Sequence, residues 1–442
     1  MHITLAHNVQ YIIKTLEEND FEAYAVGGCI RDTLLGKTPQ DWDICTQALP
    51  EQTAACFKGK RIFETGIKHG TISLLLGGKT YEITTFRTDG NYTDNRRPES
   101  VTFVSALSDD LARRDFTINA IAYHPDRGLI DPFGGAADIE NKLIRCVGDA
   151  ENRFDEDALR IMRALRFSSA LGFTIEPRTA DALLNKRRLL HNISAERIRE
   201  ELNRLVAGDN AAQVMLKYSS VITTIIPEIS NLIGFEQNTP YHDLDIWNHT
   251  IKSMTHVPAD KVLRLTMLLH DIGKPPCYTY KNGKSHFHGH QKIGAEMARH
   301  ILRRLKYDNN TVHTVTLLIT YHDADIPARA KAIRRWLNKI GEHRLRQLLA
   351  IKRADIFAQS SALLSPRLEA LNAASKIIDE IIEQKQCYRL SDLAINGRDL
   401  IAIGITNGSE IGQTLNTLLH MVLDGEIENE RLALLDKSQD LH

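Results

Sequence analysis

The chain has 442 residues, of which 43% are hydrophobic and 25% are charged, and its formal net charge is −1. A chain of this length is expected to form several domains, since a single hydrophobic core stops growing at about 250 to 300 residues. It has no apolar run of transmembrane length, no signal-like N-terminal cluster and no C-x-x-C pair among its six scattered cysteines, so we expect a cytoplasmic protein without a disulfide framework or a thiolate zinc site.

After an amphipathic helix predicted over residues 1–20, the stretch from Ala23 to Thr46 predicts an apolar strand, a double glycine that opens a helix, and a second strand. At the double glycine, Gly28 lets backbone N–H groups approach an anion closely. Arg31 supplies a fixed cation one turn into the helix. This arrangement suits a triphosphate.

Two aspartates, Asp41 and Asp43, are two residues apart, so on a strand both carboxylates leave the same face. Two ionised carboxylates this close repel one another, which costs free energy unless cations lie between them. Magnesium ions that activate a hydroxyl and neutralise a leaving pyrophosphate are the usual reason for such a pair. A Gly-Gly alone is usually a turn, and a D-x-D alone is usually a solvated strand edge. The two motifs together, in this order, are a specific signal for a site that binds a triphosphate and metal ions.

The next segments predict a hairpin and a loop. Residues 72–87 predict two strands that turn through Gly77 and Gly78. Glu82 on the second strand is a candidate third metal carboxylate, although the pattern also suits a surface glutamate. The polar segment from Thr88 to Pro98 predicts a mobile loop beside the site.

The sequence RRDFTINAIAY, residues 113–123, predicts a helix with a buried apolar side and places Arg114 at its start. A strand and a glycine turn in GLIDPFGG then end the first domain near residue 140. From residue 143 onward the chain is predicted to be helical.

An acid and arginines recur at helical steps within this region, at Asp157, Arg160 and Arg163. Surface ion pairs would explain this spacing. A functional explanation is base selection, because cytosine and adenine each present an amino donor beside a ring-nitrogen acceptor, while guanine and uracil present the reverse. A fixed carboxylate with a guanidinium would accept C and A. A protein surface could then act as the template.

A set of histidines and aspartates follows in the second half of the chain. Several of them end predicted helices, and HFHGHQ holds three histidines within five residues. Such a set is typical of a transition-metal site for Mn, Ni, Fe or Zn, whereas packing and capping histidines without a metal would show the same pattern. The candidate ligands are His249, His270, Asp271, His290, His322 and Asp323.

The charges of the second half are unevenly distributed. Lys292 to Arg353 holds fourteen Lys and Arg against five Asp and Glu, while Arg367 to His442 holds seven against thirteen. A basic segment beside an acidic tail fits a protein that binds a polyanion along one surface, and solvated helices fit the same count. The last segment, residues 386–442, predicts two or three short helices.

Five motifs together resemble the class II tRNA CCA-adding enzymes and bacterial poly(A) polymerases, within the polymerase-beta-type nucleotidyltransferases. These are GGCIRD followed by DWDICT, then RRDFTINA, DPFGG, EDALRIMRALRF and ERIREEL, in family order over roughly the first half of the chain. The histidine and aspartate set resembles the HD phosphohydrolase superfamily, and many class II enzymes lack such a set.

The resemblance implies an α+β protein with a nucleotidyltransferase head over residues 1–140 and a nucleotide-selecting helical neck over residues 141–215. A helical body with the metal set and a basic RNA-binding surface would follow over residues 216–385, and a helical tail over residues 386–442. It implies CTP, ATP and tRNA as partners and no membrane, with the oligomeric state left open. The implied site residues are Asp41 and Asp43 for Mg²⁺ and catalysis, and Gly28, Arg31, Arg114, Asp157, Arg160, Arg163 and Arg166 for the nucleotide.

The expected activity is the template-independent addition of C, C and A to the 3′ end of tRNA. A poly(A) polymerase or an A-only transferase would share every catalytic motif. A metal-dependent phosphohydrolase acting on 2′,3′-cyclic or monophosphate ends is a second alternative, located in the HD-like region. A non-enzymatic RNA-binding protein with decayed motifs is a third.

Overall fold

The protein is described by a computed structural model that covers residues 3–64, 66–90, 101–238, 243–359 and 364–441. It divides into two compact units, Met1–Pro227 and Glu228–His442. The first combines a mixed sheet with helices and the second is helical apart from a short hairpin, which confirms the predicted α+β class. The finer division into head, neck, body and tail stays a prediction. Within these ranges, no helix has the length and apolar character to cross a lipid bilayer.

The first unit is built on strands that confirm the predicted hairpin of residues 72–87. The strands are β1 (Ala23–Val26), β2 (Asp43–Thr46), β3 (Arg61–Phe63), β4 (Thr71–Leu76), β5 (Lys79–Thr85), β6 (Arg87–Asp89), β7 (Val101–Phe103), β8 (Ala122–His124), β9 (Gly128–Ile130), β10 (Leu143–Ile144) and β11 (Thr174–Ile175). In the described part of the chain, seven of them form one sheet in the order β3-β4-β5-β2-β1-β8-β9. Most of the predicted loop from Thr88 to Pro98 lies outside the described residues.

The helices of the first unit pack on this sheet and continue beyond it. They are α1 (His7–Glu17), α2 (Gly28–Leu34), α3 (Pro50–Cys56), α4 (Leu107–Ala112), α5 (Gly135–Glu140), α6 (Ala150–Glu156), α7 (Leu159–Leu171), α8 (Pro177–Lys186), α9 (Ala195–Val206), α10 (Ala211–Lys217) and α11 (Ser219–Ile225), with 3₁₀ turns at Ile67–His69, Thr117–Asn119 and Arg187–Asn192. The amphipathic α1 buries Val9, Ile12, Ile13 and Leu16, as its helical spacing predicts.

Two helix predictions in this unit are wrong. Residues 113–123 form a single 3₁₀ turn followed by β8, because β8 completes the sheet against β1 and all three of its residues are buried. The predicted helix through Asp157 is broken, since α6 ends at Glu156 and α7 begins at Leu159. Asp157 lies between them with extended backbone, and its carboxylate accepts the backbone N–H of Leu159. Asp157 therefore caps α7 instead of lying on its face.

The second unit is a bundle of helices with a hairpin of β12 (Thr279–Lys281) and β13 (Lys284–His286). The described part of residues 386–442 holds three helices, within the predicted two or three, although one of them is long. The helices are α12 (Ile246–Met254), α13 (Lys261–Leu269), α14 (His290–Arg304), α15 (Asn309–Tyr321), α16 (Ala330–Ile340), α17 (Glu342–Ala358), α18 (Leu364–Glu383), α19 (Gly397–Ala402), α20 (Gly408–Asp424) and α21 (Arg431–Asp440), with 3₁₀ turns at Pro275–Cys277 and Leu390–Asp392, and a further one, Pro227–Asn231, at the division between the units.

Candidate functional site

The acidic side of the candidate site is built by two parallel strands. Asp43 is the first residue of β2, and the register of β2 with β5 places Glu82 directly opposite it. Paired residues of neighbouring strands point to the same face of a sheet, so the two carboxylates lie side by side. Asp41 lies in the bend before β2, so the prediction that both aspartates are on the strand is correct only for Asp43.

The electrostatics of these acids fit a divalent cation. Burial raises the pKa of Asp43, and the nearby carboxylate of Glu82 raises it further, while Arg114 acts in the opposite direction and Asp41 adds a smaller repulsion. Carboxylates that repel one another in this way are stabilised by a cation with oxygen ligands. Asp41, Asp43 and Glu82 therefore fit Mg²⁺.

A cavity of about 580 Å³ opens beside Asp43 and Glu82 and is lined mainly by charged side chains. Eight arginines and four carboxylates contribute to it, which leaves an excess of four positive charges suited to a polyphosphate. The lining arginines are Arg31, Arg87, Arg113, Arg114, Arg160, Arg163, Arg166 and Arg197.

The double glycine lies at the edge of this cavity. Gly27 has φ +80°, which favours glycine, and a Cβ atom there would be 3.1 Å from Nη1 of Arg114. Gly28, the residue predicted to contact nucleotide, is the first residue of α2 and lines the same cavity. Gly27 is thus the position at which the backbone itself requires glycine.

Arg31 and Arg114 are held in place by neighbouring polar groups. Nη1 of Arg31 donates a hydrogen bond of 2.6 Å to the Asn119 side chain, and its Nε and Nη2 donate to Asp32. Nη2 of Arg114 donates to the fully buried carboxylate of Asp110, which also accepts from Arg113. Asp110 was missed by sequence analysis, although its three- and four-residue spacing from the two arginines is a helical pairing signal.

A second buried ion pair joins Asp115 to α7. Nε and Nη2 of Arg163 lie 2.7 and 2.5 Å from Oδ2 of Asp115. Burial by itself raises the pKa of Asp115, but Arg163, the Asn119 side chain and Arg160 together outweigh it and lower the pKa to about 2. The sequence carries no local signal for this pair, because its members are 48 residues apart and belong to different elements.

We expect Asp115→Ala to destabilise the protein by about 3 kcal/mol, because it leaves the guanidinium of Arg163 without its buried partner. The measurement is urea unfolding. Asp155→Ala is the matched control, since Asp155 pairs with Lys186 at a half-exposed site. This substitution should lower the free energy of unfolding by about 1 kcal/mol or less. The pKa of Asp115 in the folded protein is below its unfolded value of about 3.9. The contribution of the ionised Asp115 side chain to the stability of the folded protein is therefore complete above that pH and is lost as the pH falls toward 2. An equal effect of the two substitutions would contradict this assignment.

The remaining predicted nucleotide contacts lie just before α7 or on it, and α9 supplies partners for two of them. Oδ2 of Asp157 is 2.8 Å from Nη2 of Arg197. Arg160 donates to the carboxylate of Glu156 and to the carbonyl of Arg113, so a base bound to Arg160 would have to compete with these protein acceptors.

Arg166 is buried beside Glu201 of α9, at 3.2 Å. Burial lowers the pKa of Arg166 to about 10, with Glu201 opposing this shift. The guanidinium carbons of Arg31, Arg163 and Arg166 lie 4.1 to 5.5 Å from the centroid of the Phe167 ring, so one aromatic ring separates three cations. Glu201 was missed by sequence analysis, since only the packing of α9 on α7 brings it here.

The histidine and aspartate set in the second unit does come together. All six predicted ligands lie in one region, contributed by the ends or interiors of α12, α13, α14 and α15. Five of them are buried, whereas the side chain of Asp323 is 45% exposed and accepts a hydrogen bond from Gln291. Asp355 of α17, which sequence analysis missed, lies 2.9 Å from Nε2 of His249. Its helical sequence context gave no metal-ligand signal.

The charges of this cluster are unbalanced without a cation. Burial by itself would lower the pKa of His270, but the carboxylates of Asp271 and Asp355 outweigh it and raise the pKa to about 10. Two buried carboxylates in one cluster need a positive partner, which protons on the imidazoles or a metal ion can supply. The buried histidines and acids therefore form groups that could hold a metal.

A third group of potential ligands, Glu17, His124 and Asp126, does not fit a metal. Nδ1 of His124 accepts backbone N–H groups from Asp126 and Arg127, at 3.1 and 3.3 Å. Its Nε2 is 2.9 Å from Glu17. Since both ring nitrogens already have protein partners, this cluster is structural.

Comparison with known families matches three segments of the chain. Residues 23–145 match the Poly A polymerase head domain, and residues 172–233 match an RNA and SrmB binding site of polymerase A. Residues 287–437 match tRNA nucleotidyltransferase domain 2.

Relatives with known names match nearly the whole chain. The CCA-adding enzyme of Lactobacillus delbrueckii subsp. bulgaricus is 35% identical over 434 residues, which are 96% of this chain and 95% of that protein. The CCA-adding enzyme of Geobacillus stearothermophilus is 36% identical over 95% of this chain and 93% of that one. The crystal structure of the Bacillus stearothermophilus CCA-adding enzyme in complex with CTP superposes with a TM-score of 0.71 at 31% identity, covering 98% and 96% of the two chains.

Proposed function

Since this chain belongs to the family of the CCA-adding enzymes, we propose that it adds C, C and A to the 3′ end of tRNA, using CTP and ATP without a nucleic-acid template. The observation that carries this proposal is the adjacency of Asp43 and Glu82 to a cavity lined by eight arginines. Acids that hold divalent cations beside a positively charged cavity suit a nucleoside triphosphate.

The chemistry assigned to the first unit is nucleotidyl transfer. The 3′-hydroxyl oxygen of the tRNA forms a bond to the α-phosphorus of the nucleotide, its proton is released, and pyrophosphate leaves with the electrons of the broken P–O bond. Asp41 and Asp43 would hold Mg²⁺, with Glu82 as a third carboxylate. When bound, Mg²⁺ supplies charge neutralisation at the phosphates and favours ionisation of the attacking hydroxyl.

The arginines have separate roles in this proposal. Gly28, Arg31 and Arg114 bind and orient the triphosphate, since they line the cavity next to Asp43. Asp157 and Arg160 face the base, with Arg163 and Arg166 as neighbouring cations on α7. Arg197 orients the carboxylate of Asp157 through their 2.8 Å contact. Charges held this firmly require little reorganisation when the nucleotide binds.

The nearest competing function is poly(A) addition, which would use the same residues. The two are separated by offering CTP alone and ATP alone to a tRNA transcript that lacks its terminal CCA and to an unstructured RNA oligonucleotide. We expect C to be added to the tRNA transcript and little addition of either nucleotide to the oligonucleotide. Extension of both RNAs with A alone would move the assignment to a poly(A) polymerase.

We propose that α16 contributes to the tRNA-binding surface of the second unit. A cavity of about 400 Å³ there is lined by Arg329, Lys331, Arg335, Trp336 and Lys339 with two small apolar residues. Cations beside an indole suit phosphate contacts and stacking on an unpaired base. Asp424 of α20 pairs with Lys331 and Arg335, so part of the basic charge of this surface is neutralised within the protein.

Lys339→Ala should weaken tRNA binding and lower the slope of log affinity against log salt concentration by about one, as expected for one lost phosphate contact. The measurement is tRNA binding by filter retention at several salt concentrations. Lys376→Ala is the control, because Lys376 is an exposed lysine of α18 outside this surface. An unchanged slope for Lys339→Ala would remove α16 from the binding surface.

A second candidate function is supported by a cavity of about 320 Å³ beside the histidine cluster. Asp271, Lys274, His290 and His322 line it, and His286 and His288 stack at its wall. A cation site beside a lysine suits a phosphate ester, so we propose a metal-dependent phosphohydrolase with a transition metal such as Mn, Ni, Fe or Zn. Hydrolysis of 2′,3′-cyclic nucleotides by the metal-loaded protein tests this, and no turnover with any of these metals would contradict it.

We also propose a cytoplasmic location. It is supported by the free thiol state of all six cysteines, as expected in a reducing compartment.

A further inference from the structure

We infer that Phe167 is a positioning residue for nucleotide binding, because its ring fixes Arg31 of α2 relative to two arginines of α7. The inference rests on the nucleotidyl transfer proposed above, and it assigns a part in that reaction to a side chain without charge or polar atoms. It is carried by the three guanidinium groups that lie around this one aromatic ring in the cavity beside Asp43.

The ring of Phe167 is the point at which three arginines meet. The guanidinium carbon of Arg166 lies 4.1 Å, that of Arg31 lies 5.1 Å and that of Arg163 lies 5.5 Å from the ring centroid. Each distance is within the range of about 6 Å over which the negative face of an aromatic ring attracts a cation. Two of the arginines belong to the same helix as Phe167, whereas Arg31 comes from α2, so the ring joins two elements of the site.

The ring holds these cations without neutralising them. Phe167 lines the cavity, whereas two of the three carboxylates that pair with the arginines do not. An aromatic ring attracts a cation through its quadrupole and carries no net charge, so the cavity keeps its eight arginines against four carboxylates for a polyphosphate. A carboxylate in place of the ring would remove one positive charge from this excess. The pairs are Asp32 with Arg31, Asp115 with Arg163 and Glu201 with Arg166, at 2.5 to 3.2 Å.

The ring itself has a fixed position. Phe167 is only 7% exposed, and the fully buried ring of Phe116 packs against it at a centroid distance of 5.8 Å and an angle of 83°. This edge-to-face geometry is favourable for two aromatic rings. Phe116 directly precedes the 3₁₀ turn Thr117–Asn119, and Asn119 accepts the 2.6 Å hydrogen bond from Arg31. The ring and the cation that it attracts are therefore held by the same short segment of the chain.

The three cations would separate if the ring did not attract them. Burial lowers the pKa of Arg166 to about 10 against the opposing effect of Glu201, and the charge of Arg163 acts in the same direction as burial. The guanidinium groups of Arg163 and Arg166 thus repel one another. A triphosphate that bound to separated arginines would first have to bring them together, and that cost would weaken its binding. The attraction of the ring removes this cost before the nucleotide arrives.

This role affects the affinity for each nucleotide by the same factor. CTP and ATP carry the same triphosphate, which Arg31 binds in the function proposed above, and they differ in the base, which Asp157 and Arg160 face. Loss of the attraction should therefore raise the KM of both nucleotides and leave the ratio of the two KM values unchanged. The value of kcat should change little, because an interaction that is equally strong in the ground state and the transition state contributes to KM alone.

The test is stepwise fluorination of the Phe167 ring in the full-length protein. Nonsense suppression places 4-fluoro-, 3,5-difluoro- or 3,4,5-trifluorophenylalanine at this position. Fluorine withdraws electron density from the face of the ring and weakens its quadrupole, while it adds little volume. We would measure the Kd of CTP by equilibrium dialysis, and KM and kcat for single addition of CTP and of ATP to tRNA transcripts. We expect Kd and KM to rise with each fluorine, to about tenfold with three, and kcat to stay within about twofold.

The same series at Phe154 is the control. Phe154 is a fully buried phenylalanine of α6 that does not line the cavity, and in the described part of the chain no guanidinium lies over its ring. This series should keep the wild-type Kd and KM. A Kd that stays constant across the Phe167 series, or an equal rise at both positions, would overturn the inference. Circular dichroism checks the fold of each variant, and if the trifluorinated protein does not fold, the two less fluorinated proteins decide the question.

Failure of the inference and failure of the proposed function give different results. If the wild-type protein binds CTP but adds no nucleotide to tRNA, the nucleotidyl transfer is wrong and the Kd series still tests the role of the ring. If the wild-type protein adds nucleotides and the Phe167 series leaves Kd and KM unchanged, the role of the ring alone is wrong. If the wild-type protein does not bind CTP, both are wrong.

Discussion

Asp43→Asn should abolish nucleotide addition, by about 10³-fold or more, while leaving tRNA affinity nearly unchanged. Asp43 is the first residue of β2, lies opposite Glu82, and contributes a charge that a neutral amide cannot replace at a cation site. Loss of several kcal/mol of charge stabilisation in the transition state corresponds to an effect of this size. The measurement is the rate of single-nucleotide addition at saturating tRNA, together with tRNA binding by filter retention.

Asp109→Asn is the matched control for this experiment. Asp109 is an exposed aspartate on α4 of the same unit, outside the cavity, so its variant should add nucleotide at the wild-type rate. If Asp43→Asn lost tRNA binding or unfolded at a lower temperature while Asp109→Asn did not, the carboxylate would be structural. Retained addition by Asp43→Asn would contradict the catalytic assignment outright.

Asp157→Ala should weaken the selection of CTP and ATP over UTP and GTP, by about 10²-fold in the ratio of kcat/KM values. The carboxylate is held by Arg197 at the cavity wall, where it can accept a hydrogen bond from the exocyclic amino group of cytosine or adenine. A polar group placed to pair with a substrate rejects bases that leave it unpaired, and its removal reduces that rejection. The measurement is single addition of each nucleotide to a tRNA transcript.

Asp155→Ala serves as the control, since Asp155 lies two residues earlier on α6 and pairs with Lys186 away from the cavity. This variant should keep the wild-type order of preference among the four nucleotides. Asp157 also caps the backbone N–H of Leu159, so the variant is expected to lose some stability as well. A loss of overall rate with unchanged selectivity would reduce Asp157 to this capping role.

The features of the fold and site that the sequence could predict are those that depend on the spacing of residues a few positions apart. The hairpin of residues 72–87, the placement of His270 and His322 at helix ends, and the acidic start of β2 all follow from patterns within a few residues. The helix predicted over residues 113–123 was wrong because its apolar residues suit a buried strand as well, and pairing with β1 decided between the two.

The residues that sequence could not supply are partners from distant segments. Asp115 binds Arg163 across 48 positions, and Glu201 reaches Arg166 because α9 packs on α7. Asp355 joins the histidine cluster across 106 positions from His249. A single sequence does not contain such contacts, since they depend on which elements pack together. Asp157 is a different case, because its local capping bond to Leu159 competes with the helical period that suggested it.

The central claim, that this one chain builds a complete CCA end, is tested most directly with three tRNA transcripts that end at the discriminator base, at C and at CC. Each is incubated with labelled CTP, with labelled ATP and with both. We predict addition of C to the first two transcripts, addition of A to the third, and completion of all three with both nucleotides. Addition of A alone to all three transcripts, or no addition to any, would contradict the claim.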